Sequence, residues 1–448
     1  MHSMLRTALP VFTTAMMVSS ASLASTPTGQ LVITTSFPNE MTAPFQRAFQ
    51  EAYPDVTVEI QNRNTNAGVN YLRETASNNV TDIFWSSAPD AFELLKSENL
   101  LTNYISSVEG IPAEAGGYPI HDPDGYYSGF AVSGYGIMWN TRYLQANNLP
   151  EPQEWEDLAR PVYHDHVAMS APTRSGTTHL TVETILQGEG WDQGWRTIKE
   201  IAGNFNTVSE RSFGVPDGVN TGNFGIGIVI DFFALSSQAS GFPIGFTYPT
   251  VTTLVPANIG IVNNPPNKAA AEAFVDFLLS VEGQEILLEP TIGRLPVNPA
   301  TYDKAPEDYP NPFTDDSIGA AVNFEVDTSL DRYAVVGALF DQSITFLLND
   351  LKAATLAIHQ AEAALEDKGN DEARALIDEA RDLVAALPLT AEEAASDAVM
   401  GAFTVRRQAL SDEVPQRQAE IEQQWSAFSR ANYAQALEKA QQASAMLR

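Results

Sequence analysis

Short apolar runs that lead through a polar loop into a helical pattern are the feature that most restricts the fold of this chain. The first three runs are Leu31–Thr34, Val56–Ile60 and Thr81–Trp85, and helical patterns begin near Met41 and Ala91. Strands that alternate with helices are typical of an α/β domain with a largely parallel sheet. The same alternation returns at Gly129–Trp139, Val167–Met169, Phe224–Ile230 and Asn258–Val262. The sequence therefore predicts an α/β fold.

The C-terminal part of the chain, from about Asp327, has helical spacing without strand-like runs. One apolar stripe covers Ile344–Leu365 and a second covers Ala373–Leu387, with Asn370 between them as an expected N-cap. A capping-box pattern at Thr390 predicts a third helix, and a fourth reaches the end of the chain. We expect an all-helical extension over residues 327–448 that packs on the rest of the chain, dimerises or docks on a partner.

The N-terminal segment 1–24 has the pattern of a secretory signal peptide. Arg6 supplies the positive start, Ala8–Ser19 is apolar or small without an acidic residue, and Ser22-Leu23-Ala24 fits a cleavage site. This apolar stretch is shorter than the ~20 residues that a spanning helix needs. We therefore predict cleavage after Ala24 and export to the periplasm.

The charge balance excludes several classes of partner. The chain has 25 basic and 56 acidic residues, which gives a net charge of −31. Nucleic acids and anionic membranes bind proteins through basic patches, so neither is expected as a partner. A small anion remains compatible with this charge, because local amide donors hold anions even in acidic proteins. The absence of cysteine excludes disulfides, thiolate metal sites and cysteine nucleophiles.

Small polar loops follow several of the predicted strands and precede predicted helices. Thr35-Ser36-Phe37, Ser86-Ser87-Ala88 and Thr173–Thr178 share this design. Ligands of α/β sheets bind at the carboxyl ends of strands, where helix N-termini favour anions. In the third loop, Gly176 permits close approach of the backbone, and Ser175, Thr177 and Thr178 supply hydroxyls beside the Arg174 guanidinium. Ordinary helix capping uses the same residue types and is the alternative for any one loop.

Other residues have a structural and a functional interpretation. His164-Asp165-His166 suggests a metal site, but it lacks a suitably spaced third ligand, so a surface turn is favoured. Asp231 could accept hydrogen bonds from a ligand or cap the next helix. No phosphate-binding Walker loop, nucleophile elbow or zinc-protease motif occurs. We therefore expect neither an enzyme nor a cofactor.

Five segments together resemble the periplasmic solute-binding proteins of bacterial ABC transporters. The similarity is to the branch that binds ferric iron, phosphonates and sugar phosphates. The segments are LVITTSFPNEMTAPFQRAFQEAYPDVTVE, TDIFWSSAPDAFELL, YYSGFAVSGYGIMWNTRYL, SAPTRSGTTHLTVETIL and NKAAAEAFVDFLLSVEGQEIL. The resemblance implies a two-lobed, type II-like binding-protein fold with a ligand between the lobes. It places lobe 1 at residues 25–128 plus 254–326 and lobe 2 at residues 129–253.

The resemblance also implies a set of ligand-binding residues. Hydroxyls and amides at Ser36, Ser86 and the Ser175 loop would bind a phosphate ester or phosphonate, with phosphoglycerate or a sugar phosphate favoured. The full expected set is Ser36, Phe37, Ser86, Ser87, Arg174, Ser175, Gly176, Thr177, Thr178, Arg211, Asp231 and Tyr248. The expected partners are a small anionic solute, an inner-membrane ABC permease and, through the helical extension, a membrane sensor kinase.

Ferric iron is the alternative ligand that the resemblance raises. Ferric-binding relatives carry a tyrosine pair after the strand that here ends at Ile230, and this chain has Phe232-Phe233 instead. A phenyl ring has no oxygen with which to bind iron. The substitution therefore favours an oxyanion over a metal as the ligand.

Overall fold

The computed structural model describes residues 26–115, 117–307, 309–315, 318, 322–403 and 415–448. The predicted signal peptide, residues 1–24, lies outside the described residues. The strands are β1 Gly29–Thr35, β2 Val56–Asn62, β3 Ile83–Ser86, β4 Leu101–Thr102, β5 Glu114–Ala115, β6 Tyr118–Pro119, β7 Ser128–Asn140, β8 Val167–Ser170, β9 Phe205–Ser209, β10 Ile226–Ile230, β11 Ile244–Thr247, β12 Leu254–Val262 and β13 Leu295–Pro296.

Helices follow most of these strands. They are α1 Asn39–Ala52, α2 Thr65–Thr75, α3 Pro89–Ser97, α4 Thr141–Asn147, α5 Gly176–Glu189, α6 Trp191–Ala202, α7 Gly214–Thr221, α8 Asp231–Ala239, α9 Lys268–Leu279, α10 Val281–Ile286, α11 Val326–Phe340, α12 Leu348–Lys368, α13 Asp371–Ala385, α14 Ala391–Ala394, α15 Asp397–Met400 and α16 Gln416–Met446. The predicted α/β class with a C-terminal helical extension is confirmed. Within the described residues, no helix is long and apolar enough to cross a membrane.

One sheet runs through the α/β part of the chain in the order β2-β1-β3-β12-β7-β10-β8-β9. The pairs β2-β1, β1-β3, β10-β8 and β8-β9 are parallel, whereas β12 and β7 are antiparallel to their neighbours. Strand β7 joins the two ends of the sheet. Its residues Ser128–Gly134 pair with β12, and its residues Tyr135–Trp139 pair with β10.

We call the strands β1–β4, β12 and β13 with Ser128–Gly134 the first sheet half, and β8–β11 with Tyr135–Asn140 the second sheet half. The chain passes between them in β7 and in the segment before β12. In both halves, the carboxyl ends of the parallel strands continue into loops from which helices start. The loops of one half lie opposite those of the other. The lobe boundaries proposed from the resemblance stay predictions.

The helical extension consists of a bundle and a covering helix. Helices α12, α13 and α16 pack together, and the Asn370 side chain caps α13 by accepting hydrogen bonds from Glu372 N and Ala373 N (3.0 and 3.1 Å). The Thr390 capping box is present, but the helix that it starts, α14, has only four residues. The bundle packs on the second sheet half. Of the three roles expected for the extension, the structure therefore shows packing on the rest of the chain, and dimerisation and docking on a partner stay predictions.

Helix α11 covers α5, the helix that follows β8. Glu183 of α5 is fully buried, and Arg332 of α11 donates two hydrogen bonds to its Oε2 (2.7 and 3.2 Å) and one to its Oε1 (2.9 Å). His179 Nε2 lies 2.9 Å from Ser329 Oγ, and the His179 ring stacks on the Tyr333 ring. The buried Glu183 carboxylate and His179 Nε2 of α5 are thus paired with residues of the extension.

Candidate ligand-binding site

A small cavity of about 30 Å³ lies where the strand-end loops of the two sheet halves face each other. We call it the inner chamber. Its lining residues are Ser36, Phe37, Pro38, Asn64, Thr65, Ser87, Arg174, Ser175, Thr177, Arg211, Ser212, Phe213, Phe232 and Phe233. A cavity of this volume holds one or two water molecules, so the loops of the two halves lie close together in this structure.

The inner chamber is surrounded by the N-termini of helices from both sheet halves. Its lining residues lie at or next to the first residues of α1, α2, α3, α5, α7 and α8. A helix N-terminus carries free N–H groups and the positive end of the helix dipole, so it stabilises a nearby anion. Six such termini around one cavity give it a positive field inside a protein whose net charge is −31.

The serines of the three polar loops have different roles in this arrangement. Ser175 is the N-cap of α5 and accepts a hydrogen bond from Thr178 N (3.1 Å), and it also lines the chamber. Ser36 and Ser87 line the chamber without capping a helix. Ser36 Oγ lies 3.0 Å from Ser86 Oγ, which is behind it. The capping alternative therefore applies to Ser175 alone among the three.

Arg294 is a candidate functional residue that the sequence analysis missed. It is fully buried between the rings of Phe37 and Phe232, with its guanidinium carbon 4.5 and 3.7 Å from their centroids. Its Nη2 donates to Ser87 Oγ (3.2 Å), and its Nε and Nη1 have no hydrogen-bond partner among the described residues. An unsatisfied buried charged group costs several kcal/mol, and a bound anion would remove that cost.

The charge of Arg294 is balanced within the protein by Asp231. Complete burial lowers the pKa of Arg294 to about 9, and the nearby Asp231 carboxylate opposes this shift. Complete burial likewise raises the pKa of Asp231 to about 6, although its hydrogen bonds favour the charged form. At pH 7.5 both groups are charged. Arg294 therefore offers a positive charge whose counterion lies inside the protein and does not occupy the chamber.

Asp231 and Tyr248 act within the protein instead of lining the chamber. Asp231 Oδ2 accepts hydrogen bonds from Gly134 N (2.7 Å) and Tyr248 Oη (3.0 Å), and its Oδ1 accepts one from Phe232 N (2.7 Å). Gly134 is where β7 passes from one sheet half to the other. Of the two interpretations of Asp231, the structure thus favours a structural role that fixes the start of α8.

Gly176, Thr178 and Arg211 lie at contacts near the chamber. A Cβ atom at Gly176 would lie 2.7 Å from Ala88 Cβ, so the glycine permits close approach of α5 to the start of α3. The Thr178 hydroxyl contacts the hydroxyl of Ser170. Arg211 Nη2 lies 3.5 Å from Ser36 O and from Asn62 Oδ1, which brings a second-half side chain against the first half. The chamber is therefore enclosed from both sides.

A sequence signal for Arg294 exists, although it is weak. The residue is a single cation within the apolar run Ile292–Val297, where its neighbours Ile292, Leu295 and Val297 are buried. A charged residue in a buried run requires a partner, but the sequence does not show which one.

Comparisons with known proteins identify the family. The family model described as bacterial extracellular solute-binding protein matches residues 78–318, more than half of the chain. The phosphoglycerate transport regulatory protein PgtC of Salmonella typhimurium is 32% identical over 337 residues, which are 75% of this chain and 82% of that protein. This chain belongs to the bacterial extracellular solute-binding protein family. The resemblance found in the sequence is confirmed.

Solved structures of solute-binding proteins have the same fold. The periplasmic binding protein AfuA from Actinobacillus pleuropneumoniae, with fructose-6-phosphate bound, aligns with a TM-score of 0.64 at 20% identity and covers 70% of this chain and 98% of AfuA. The apo ferric ion-binding protein A of Pasteurella haemolytica aligns with a TM-score of 0.56 at 14% identity, over 70% of this chain and 97% of that protein. The expected binding-protein fold is confirmed. The aligned proteins bind solutes, and at these identities the likeness is one of fold alone.

Proposed function

We propose that this protein is a periplasmic receptor that binds the anionic headgroup of a small phosphorylated or phosphonate solute and delivers the solute to an inner-membrane ABC permease. The observation that carries the proposal is Arg294, a buried cation with two unpartnered N–H groups behind a chamber ringed by helix N-termini. The name of PgtC and the fructose-6-phosphate bound to AfuA support the same ligand class.

The energetics are adequate for a transport receptor. Micromolar affinity corresponds to about −8 kcal/mol. Hydrogen bonds to a charged group contribute about 1.5–3 kcal/mol each, and the Ser36 and Ser87 hydroxyls, the Arg174 and Arg211 guanidinium groups and the helix N-termini supply enough donors to reach that total before ordering costs. The buried Arg294 adds the attraction of its charge without a direct contact. A tetrahedral oxyanion accepts bonds from several directions at once, which suits donors that converge from two sheet halves.

The test is to measure binding and thermal stability of Arg294→Met beside the wild-type protein. We expect phosphate esters to raise the melting temperature of the wild type and the variant to lose at least 100-fold in affinity. Arg294→Met leaves the buried Asp231 carboxylate without its counterion, so the variant without ligand should be less stable than the wild type, and its affinity is measured well below its melting temperature. Arg47→Met, at an exposed position on α1, is the matched control and should change neither property.

Two results would contradict the proposal. The first is that no phosphate ester or phosphonate in a panel stabilises the wild-type protein. The second is a visible phenolate-to-iron absorption band on addition of ferric citrate, which would favour the ferric-iron alternative. The phenyl rings of Phe232 and Phe233 line the chamber where that alternative needs phenolate oxygens.

A sensory role is the second candidate, because the extension contacts the binding loop. Thr173 Oγ1 donates to Asp341 Oδ2 of the extension (2.8 Å), and Asn66 Nδ2 of the first half donates to Thr173 O (2.7 Å). Thr173 precedes Arg174 and Ser175, which line the chamber, so ligand binding could change the segment around Asp341. A membrane sensor kinase would then read the change from the exposed face of the extension.

Hydrogen exchange separates the two roles. Sensing requires that a saturating ligand change the protection of backbone amides at residues 341–347, while α13 serves as the internal reference. Unchanged exchange at residues 341–347 would contradict the sensory role and leave transport as the proposed function.

A further inference from the structure

A second, larger cavity lies beside the inner chamber, toward the surface. This outer chamber has a volume of about 610 Å³ and lies between the start of α1 in the first half and helices α7 and α8 in the second. Pro38, Phe213, Phe232 and Phe233 line both chambers, so these side chains form the boundary between them. A solute held by its headgroup in the inner chamber would extend past these side chains into the outer chamber.

Charges of opposite sign are segregated between the two chambers. Among the described lining residues, the cations Arg174 and Arg211 line only the inner chamber, and Arg294 lies behind it. The carboxylates Glu40 and Asp217 line only the outer chamber, one from each sheet half. Partial burial raises the pKa of Asp217, and the Glu40 carboxylate raises it further, so the two acids act on each other across the space.

The outer chamber also offers a broad apolar surface. The rings of Phe213, Phe232, Phe233 and Phe242 line it, and Phe242 is 43% exposed although it is aromatic. Asn220 and Ser237 supply amide and hydroxyl groups, and Asn220 Nδ2 donates to Ser237 Oγ (2.9 Å). Aromatic faces beside neutral polar groups suit a body that has both C–H faces and hydroxyls.

We propose that the solute carries its only anionic group at the end held by the inner chamber, and that its body is an uncharged polyol or sugar that extends into the outer chamber. This inference rests on the proposed function. A second anionic group at the far end of the body would lie near Glu40 and Asp217, and like charges that face each other oppose binding. The outer chamber therefore selects phosphate esters of neutral polyols against phosphate esters that carry a carboxylate.

The experiment is calorimetric titration of the full chain with two pairs of phosphate esters at pH 7.5. Each pair has the same carbon count and differs only in a carboxylate that replaces a CH2OH group: glycerol 3-phosphate against 3-phosphoglycerate, and glucitol 6-phosphate against 6-phosphogluconate. We expect the neutral member of each pair to bind about tenfold more tightly, which is about 1.4 kcal/mol. The preference should shrink at high ionic strength, because both carboxylates are exposed.

Two variants locate the effect in the outer chamber. Glu40→Gln with Asp217→Asn should reduce the preference to about twofold while leaving affinity for the neutral esters unchanged. Phe242→Ala should weaken glucitol 6-phosphate several-fold and leave inorganic phosphate unaffected. Both substitutions are at exposed positions, so folding is preserved, and a melting curve verifies this.

The outcomes separate this inference from the function on which it rests. If the carboxylate-bearing esters bind as tightly as the neutral ones, or if the preference survives Glu40→Gln with Asp217→Asn, the inference is wrong while the receptor function stands. If neither inorganic phosphate nor any of the four esters binds, the proposed function itself is wrong.

Discussion

The two sheet halves reach stability by different routes. The main core of the first half contains residues between Leu31 and Ile318, all from the α/β part of the chain, and the hydroxyl-rich loops rest on it. The core of the second half continues without a break into the extension, from Trp139 and Trp195 to Ile358, Ile377 and Trp425. The second half therefore shares its core with the bundle of α12, α13 and α16, whereas the first half meets the extension where α11 packs on α3.

This difference suggests why the extension contacts the binding loop. A ligand receptor needs two bodies that move relative to each other, and stiffening one of them restricts motion to the connection between them. The extension adds polar contacts along α5, whose N-terminus lines the inner chamber, at Thr173, His179 and Glu183. We infer that the second half is the stiffer body and that the first half adapts around the ligand.

The largest expected effect comes from removing residues 348–448. Truncation exposes the apolar residues of the second half that now pack on α12, α13 and α16, so we expect the loss of a cooperative unfolding transition. Circular dichroism and size-exclusion chromatography measure this. Co-expression of residues 348–448 as a separate chain should restore the fold. A truncated chain that melts cooperatively and still binds ligand would show that the extension is an appendage.

The second-largest effect is expected for Arg332→Met. Glu183 is fully buried and Arg332 is 17% exposed, so the variant leaves an unpaired carboxylate inside the protein. Such a loss costs about 3–5 kcal/mol of unfolding free energy, measured by urea titration. Adding Glu183→Gln should recover most of it. Lys304→Met in the first half breaks an exposed pair with Glu285 and should cost less than about 1 kcal/mol. Equal costs would contradict the contrast between the halves.

A pH-dependent effect is expected at Lys199, which joins α6 to the extension. Lys199 Nζ donates to Ala386 O (2.7 Å) and lies 5.2 Å from the Tyr433 ring centroid, and burial lowers its pKa to about 7. Between pH 7 and pH 10 the unfolded chain binds a proton at Lys199 that the folded protein does not. The stability that this residue contributes therefore rises with pH in that window, by about 1.4 kcal/mol per unit.

The measurement for Lys199 is the difference in pH dependence between the wild type and Lys199→Met. The variant should lack the rise between pH 7 and pH 10 and should be more stable than the wild type near pH 7. Parallel stability curves for the two proteins would mean that Lys199 is charged within the folded protein across the range.

Local patterns in the sequence predicted much of the fold, because they depend on near neighbours. The helical patterns near Met41 and Ala91 are α1 and α3, and the N-cap at Asn370 and the capping box at Thr390 are present. The sequence did not show that the third extension helix has only four residues, because a capping box marks where a helix begins and not where it ends. Helices α2, α4 and α7 were missed, since their contacts with the sheet outweigh weak periodicity.

The candidate site was harder to predict from the sequence than the fold was. The three polar loops were identified because each has a local design, and Ser36, Ser87 and Ser175 line one cavity. That these residues bind a ligand stays a prediction. Arg294 was missed because its partner Ser87 lies 207 residues away along the chain. The His164–His166 turn illustrates the same limit. His164 Nδ1 and His359 Nε2 both lie close to Asn204 Oδ1 (3.2 and 3.1 Å), so this turn is a contact with the extension and not simply a surface feature.

The smallest expected effect is at Gly203, and its sign tests the packing of the extension. Gly203 follows α6 with φ −60° and ψ −20°, a conformation that alanine adopts readily, so Gly203→Ala alone should stabilise by about 0.4–1 kcal/mol. In the intact protein the added Cβ would lie 2.1 Å from Thr355 Oγ1 and 2.7 Å from Thr355 Cβ on α12. We therefore expect a net loss of about 1–3 kcal/mol.

A double-mutant cycle with Thr355→Ala separates the two contributions. Thr355 Oγ1 has no hydrogen-bond partner among the described residues, so its removal costs little by itself. The double variant should recover about 0.5–1.5 kcal/mol relative to Gly203→Ala, because Thr355 Oγ1 and Cγ2 are gone while Thr355 Cβ, 2.7 Å away, remains. A stabilising Gly203→Ala with no coupling to Thr355 would mean that α12 does not rest on the end of α6 in solution, and that the second sheet half is as independent as the first.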